Sequence, residues 1–196
     1  HPDSPALDAL AMILGEGDSS VLWQSTRGKA GLVHAIDATS WNPGSTGLFY
    51  ISYTCDAAKR ESATAAIHGE LRRLRQQGVS VGQLRKIVRQ LVVSEINSRK
   101  TVNGQASRLG MAEVVVGDIN FSQSYFQRLT ALKPSDIKRV MGLYFTFENS
   151  SSISINPLVA EQVKKPVGAH SAKHRTEFEL VRLRNGARLL LQPDRT

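Results

Sequence analysis

The sequence predicts an α+β fold: an antiparallel β-sheet with helices packed on one face, followed by a C-terminal β-hairpin. Three observations carry this. Two runs, Leu32–Thr39 and Gly47–Thr54, have strand composition, and the turn-forming WNPGST lies between them. From Asp56 to Leu143 apolar residues recur at helical spacing. Near the end, EFELVRLRNGARLLLQPD alternates apolar and polar residues on both sides of Asn185-Gly186, a strong hairpin signal.

Taken in order, Asp3 or Ser4 can cap an opening helix with Pro5 just inside it, and Leu7, Leu10, Ala11 and Leu14 give it an apolar stripe up to Gly15. Asp18 or Ser19 can cap a second short helix, which continues through Val21, Leu22 and Gln24 until Gly28. The hairpin of the two strands follows, with Phe49, Ile51 and Tyr53 on one face and Tyr50 and Ser52 on the other. Asp56 is placed to cap a long helix that Gly78 stops, its inner face made by Ala63, Ala66, Ile67, Leu71 and Leu74. Ser80 opens the next, with Leu84, Ile87, Val88, Leu91 and Val92 inward, and a further helix is expected over Val102–Val116. Ser122–Ala131 and Pro134–Leu143 read as shorter helices, and Ser151–Ile155 as a strand closing the domain at Pro157.

After Pro157 the composition changes to VAEQVKKPVGAHSAKHRT, which has no sustained period and reads as a linker over residues 158–176. Residues 177–196 then begin a new unit, a hairpin with no following core.

With 196 residues and 41% hydrophobic content, residues 1–157 can build a core. No apolar run approaches the roughly 18 residues of a transmembrane helix, and HPDSPALDAL lacks the order of a signal peptide. The single Cys55 cannot form an internal disulfide, which leaves the redox compartment open. A net charge of +8 raises nucleic acid as a partner. The densest basic cluster, Arg72, Arg73, Arg75, Arg85, Lys86 and Arg89, lies on two helices without interleaved aromatics, however, so it reads as a solvated face.

The segment LGEGDSSVLWQ followed by Arg27-x-x-x-Gly31-Leu32, then ASRLGMAEVVVGD and LKPSDIKRVMGLYF, resembles the downstream, non-catalytic domain of pitrilysin/insulinase-type zinc metallopeptidases, whose fold is shared with mitochondrial processing peptidase. The resemblance covers about residues 1 to 157, without the domain's first strands. ELVRLRNGARLLLQPD resembles the opening strand pair of another such unit. In a member with two tandem halves, this domain would be second of four, joined to a truncated third.

Catalysis in this family needs H-x-x-E-H, two helical histidines holding zinc and a glutamate activating its water. The sequence has none: His68-Gly-Glu70 breaks the spacing, His170 and His174 sit in the linker, and His1 and His34 are isolated. No catalytic or metal-binding residue is therefore expected in this chain, and the zinc that the resemblance implies would be held elsewhere in the full-length protein.

The resemblance also implies a substrate-stabilising arginine and, seven residues on, a tyrosine at the entry to the first strand. These positions fall on Arg27 and His34, so histidine stands where the family pattern has tyrosine. Arg27 could hold a peptide carbonyl through its N–H groups, or close a helix C-terminus against its dipole; His34 could donate one hydrogen bond, or be an ordinary strand residue. Trp23 and Trp41 read as core or turn packing.

The function this implies is that of a domain which scaffolds a zinc metalloendopeptidase and helps enclose its peptide substrate, inactive by itself. The alternative is a catalytically dead homologue acting as a protein-binding or structural subunit. Expected partners are peptide or protein substrate and the other peptidase domains of the same chain, without nucleic acid or membrane, and the expected location is the periplasm.

Overall fold

The computed structural model describes residues 1–44, 46–146 and 148–156, together with the backbone of 179–182 and 188–191. Contacts divide the chain into two units, His1–Ser154 and Ile155–Thr196.

The first unit is built around α1 (Ser4–Gly15). Pro5 fits the first turn, where no backbone N–H is needed. Ala6, Ala9, Leu10, Ala11, Ile13 and Leu14 are all buried, so the helix is enclosed on several sides. It packs against β1, α3, α5 and α6.

Strands β1 (Ala35–Trp41) and β2 (Leu48–Thr54) pair antiparallel from Ala35↔Thr54 to Trp41↔Leu48. Opposed residues share a face, so Ile36, Ala38, Phe49, Ile51 and Tyr53 belong to the core side. Asp37, Tyr50, Ser52 and Thr54 lie on the exposed one. Phe49 meets Phe145 edge-on with ring centroids 4.8 Å apart, and the Tyr53 hydroxyl lies 2.7 Å from Thr64 Oγ1. The expected alternation holds. The first strand, however, begins at Ala35 rather than Leu32, because a bend at Gly31 still occupies the residues before it.

A short 3-10 turn, Ala57–Lys59, leads into α2 (Arg60–Gln77), which ends where Gly78 takes φ +74°. Ala63, Ile67 and Leu74 are its buried positions. Ser80 caps α3 (Val81–Ser98) in a reciprocal capping box with Gln83. Then come α4 (Val102–Met111), α5 (Phe121–Thr130) and α6 (Pro134–Tyr144). The basic cluster around the α2–α3 turn is exposed throughout; Arg73 pairs with Glu70, and Lys86 donates to Ser19 Oγ.

Several expectations need correction. Asp3 occupies the cap position of α1 but makes no capping bond; its carboxylate accepts instead from Arg139 and Tyr144 of α6. Asp56 does not cap α2 either, since its carboxylate turns to His34 and Lys59. The helix expected over Val102–Val116 widens into a π-helical turn at Ala112–Val116. Ser151–Ile155 forms no strand; Ile153 and Ile155 are 91% and 96% exposed, so their side chains have no surface to alternate against. Trp41 is 55% exposed at the end of β1 rather than packed.

In the second unit, β3 (Glu179–Arg182) and β4 (Arg188–Leu191) pair antiparallel, as the alternation predicts. The Asn185-Gly186 turn, the boundary at Pro157 and the linker 158–176 lie outside the described residues.

Candidate functional site

Arg27 and His34 sit on the passage from helix to sheet. After Leu22 the chain widens into a π-helical turn, Trp23–Lys29, continuing past Gly28, where the helix was expected to stop. Thr26 is fully buried and donates its hydroxyl to Leu22 O at 2.6 Å, which satisfies that polar group inside the core. Gly31, at φ +57°, reverses the chain: its N–H bonds Arg27 O, and the Leu32 N–H bonds Thr26 O at 2.7 Å. This is a Schellman-like closure widened by one residue. Gly117, at φ +76°, closes the other π-helical turn with the same pair of bonds, from Gly117 to Glu113 and from Asp118 to Ala112.

Arg27 is exposed, with its guanidinium carbon 4.4 Å from the centroid of the Trp23 ring. Trp23 itself packs partly against the core. This cation–π contact restrains the guanidinium, and Arg27 enters no ion pair among the described residues.

His34 precedes β1, with its backbone N–H donating to Thr54 O at 2.7 Å. Its imidazole is exposed, and Nε2 lies 3.0 Å from Asp56 Oδ1. The imidazole and then Lys59 hold the Asp56 carboxyl below its ordinary range. Lys59 Nζ lies 3.2 Å from Asp56 Oδ2 and also donates to Gly31 O at 3.2 Å. The bend between Arg27 and His34 is thus tied to the far end of the hairpin by Thr54, Asp56 and Lys59.

The two predicted residues are not hydrogen-bonded to each other: Arg27 is restrained by Trp23, His34 by Asp56. Asp56 and Lys59 were missed as members of the site. Their signal was register, since pairing Ala35 with Thr54 brings His34 beside the residues that follow β2, and the WNPGST loop does not fix that register in advance.

This arrangement offers fixed hydrogen-bond donors and one titratable ring, without a nucleophile. Among the described residues no group of three His, Cys, Asp or Glu is placed to hold a metal. A groove of about 700 Å³ between α3, α4 and α5 is lined by residues such as Ile96, Arg108, Leu109 and Phe126, with no carboxylate or imidazole to carry acid–base chemistry.

Residues 1–91 match the family described as the peptidase M16 inactive domain. An uncharacterized zinc protease of Streptomyces coelicolor is 24% identical over 160 residues, 82% of this chain and 35% of that protein. The chain thus spans about a third of that relative's length. A protease from Helicobacter pylori is 28% identical with TM-score 0.68, over 74% of this chain and 35% of that one. The inactive peptidase domain from Bordetella parapertussis superposes at TM-score 0.73 and 18% identity, over 82% of this chain and 87% of that one. The periplasmic protease PqqL of Escherichia coli does so at TM-score 0.61 and 15% identity, over 71% of this chain and 15% of that one. The fold is that of M16 inactive domains, and the resemblance read from the sequence agrees with these matches.

Proposed function

We propose that this chain, an M16 inactive-domain relative, is the non-catalytic part of a zinc metalloendopeptidase and helps to hold peptide substrate against an active site built by other domains. The observation that carries this reading is the inactive-domain match over residues 1–91, which spans the whole helix-to-strand passage with Arg27 and His34. The described residues do not fit a zinc ion: His68 and Glu70 on α2 lack a third partner. In this reading the zinc belongs to another domain of the full-length protein, which supplies the Lewis acid and the activated water. This chain's own residues supply positioned N–H donors for peptide carbonyls. Residues 158–176 serve as the linker to a further peptidase-like unit, and the protein works in the periplasm, a location supported by the periplasmic neighbour. No helix among the described residues is long and apolar enough to cross a membrane.

The second reading, a catalytically dead homologue acting as a protein-binding subunit, is favoured by one departure: His34 stands where the family resemblance has tyrosine. Peptide hydrolysis by the full-length protein separates the two. Chelator-sensitive cleavage by the full-length protein, with none by the 196-residue chain alone, is expected. A zinc-free full-length protein that binds peptides without cleaving them would establish the scaffold reading instead, and hydrolysis by the chain alone would overturn both.

A further inference from the structure

We infer that Asp56 is a positioning residue that makes His34 a proton-switched substrate contact, an acceptor when the imidazole is neutral and a donor only when it is charged. The inference rests on the proposed role of this site in holding peptide. It begins from the 3.0 Å contact between His34 Nε2 and Asp56 Oδ1. An ionised carboxylate can only accept, so the hydrogen in that contact belongs to Nε2. Lys59 at 3.2 Å from the other carboxylate oxygen favours the ionised form of Asp56.

With Nε2 committed as donor, the ring has one nitrogen left. In the neutral imidazole Nδ1 then carries no hydrogen and offers a lone pair, which suits a peptide N–H and repels a carbonyl or a developing oxyanion. Protonation adds a hydrogen at Nδ1, and the same atom becomes a charged donor toward those oxygens. A tyrosine hydroxyl, by contrast, can donate at any pH below about 10. The lock thus converts a permanent donor position into one whose polarity reverses when the ring gains or loses a proton.

The groups facing the ring from neighbouring elements are Asp56 and Lys59 after β2, with the Thr54 carbonyl taken by the His34 backbone. Arg27 and Lys29 are the cations of the helical turn that precedes the bend. Among these side chains only the Asp56 carboxylate can accept a hydrogen, and Nε2 already engages it.

Two measurements test it. Nitrogen-15 spectra of the 196-residue chain above the imidazole transition report which ring nitrogen carries the hydrogen. The expected result is the Nε2–H form alone for His34, relaxing toward a tautomer mixture in Asp56→Asn, whose amide can accept or donate. A wild-type ring with its hydrogen on Nδ1 overturns the switch and leaves the substrate-contact reading standing. The second measurement is the pH profile of kcat/KM for the full-length protein on a fluorogenic peptide. It should fall about tenfold per pH unit above the imidazole transition. His34→Tyr should flatten that limb, and Asp56→Asn should weaken it by letting neutral His34 donate through Nδ1. A purely structural Asp56 would lower activity uniformly and keep the limb. Profiles for wild type and His34→Tyr that coincide, with the Nε2–H lock intact, overturn the switch together with the substrate-contact reading.

Discussion

Two aspartates, Asp3 at the cap of α1 and Asp8 within it, are shifted in opposite directions. Asp3 accepts hydrogen bonds from Arg139 and, at 2.8 Å, from Tyr144, and the arginine first of all lowers its pKa from the ordinary 3.8. Its contribution to stability is present above that ordinary value and is lost as pH falls through the lowered native one. Asp8 accepts from the Tyr125 hydroxyl at 2.7 Å, but burial dominates and raises its pKa from 3.8. Its contribution is full below 3.8 and is lost as pH rises through the raised native value. Urea midpoints near pH 4 and near pH 7 should therefore move apart for the two amide variants. Toward neutrality Asp8→Asn gains on wild type, while Asp3→Asn loses ground; a drift of both in one direction would contradict the assignment. The sequence offered Asp3 only as a helix cap. Its partner Arg139 lies 136 residues away, a distance no local rule spans. Arg27 and His34, by contrast, were singled out because the surrounding passage is continuous in sequence.

At the scale of elements, glycines act by different physics. Gly15 has no unusual dihedral, yet a Cβ there would stand 2.1 Å from the Ala38 backbone nitrogen, because α1 presses directly on β1. Gly31 is the opposite case: its surroundings are open, but φ is +57°. Gly15→Ala should cost about 1–3 kcal/mol or more by overpacking. Gly31→Ala should cost about 1–2 kcal/mol from backbone conformation alone. Chemical denaturation measures both, and an unchanged midpoint in Gly15→Ala would contradict the close approach. In sequence Gly15 reads as a helix stop and Gly31 as part of the helix-to-strand passage; the contact of Gly15 becomes visible only once β1 is placed. The helices from α2 to α6 were legible because their apolar faces repeat locally. The strand expected at Ser151–Ile155 does not form, since its alternation matches a pattern that tertiary packing does not use.

For the whole molecule, fold class and the family resemblance were readable because helix order, capping residues and the helix-to-strand passage agree with one another. Chemistry was readable chiefly as a missing zinc motif. Dialysed chain should accordingly retain no stoichiometric zinc; one tightly held ion per chain by elemental analysis would place metal ligands within it. The central claim, that this domain contacts substrate for a zinc site elsewhere, is tested most directly by Arg27→Ala in the full-length protein, with kcat/KM and melting temperature measured together. Losing one preorganised donor to a developing oxyanion should lower the rate by about a hundred- to a thousandfold. Loss of a charge at a helix end would by itself cost under about 1 kcal/mol of stability. A large fall in turnover with little change in melting temperature is the predicted result, and near-wild-type turnover in Arg27→Ala would contradict it.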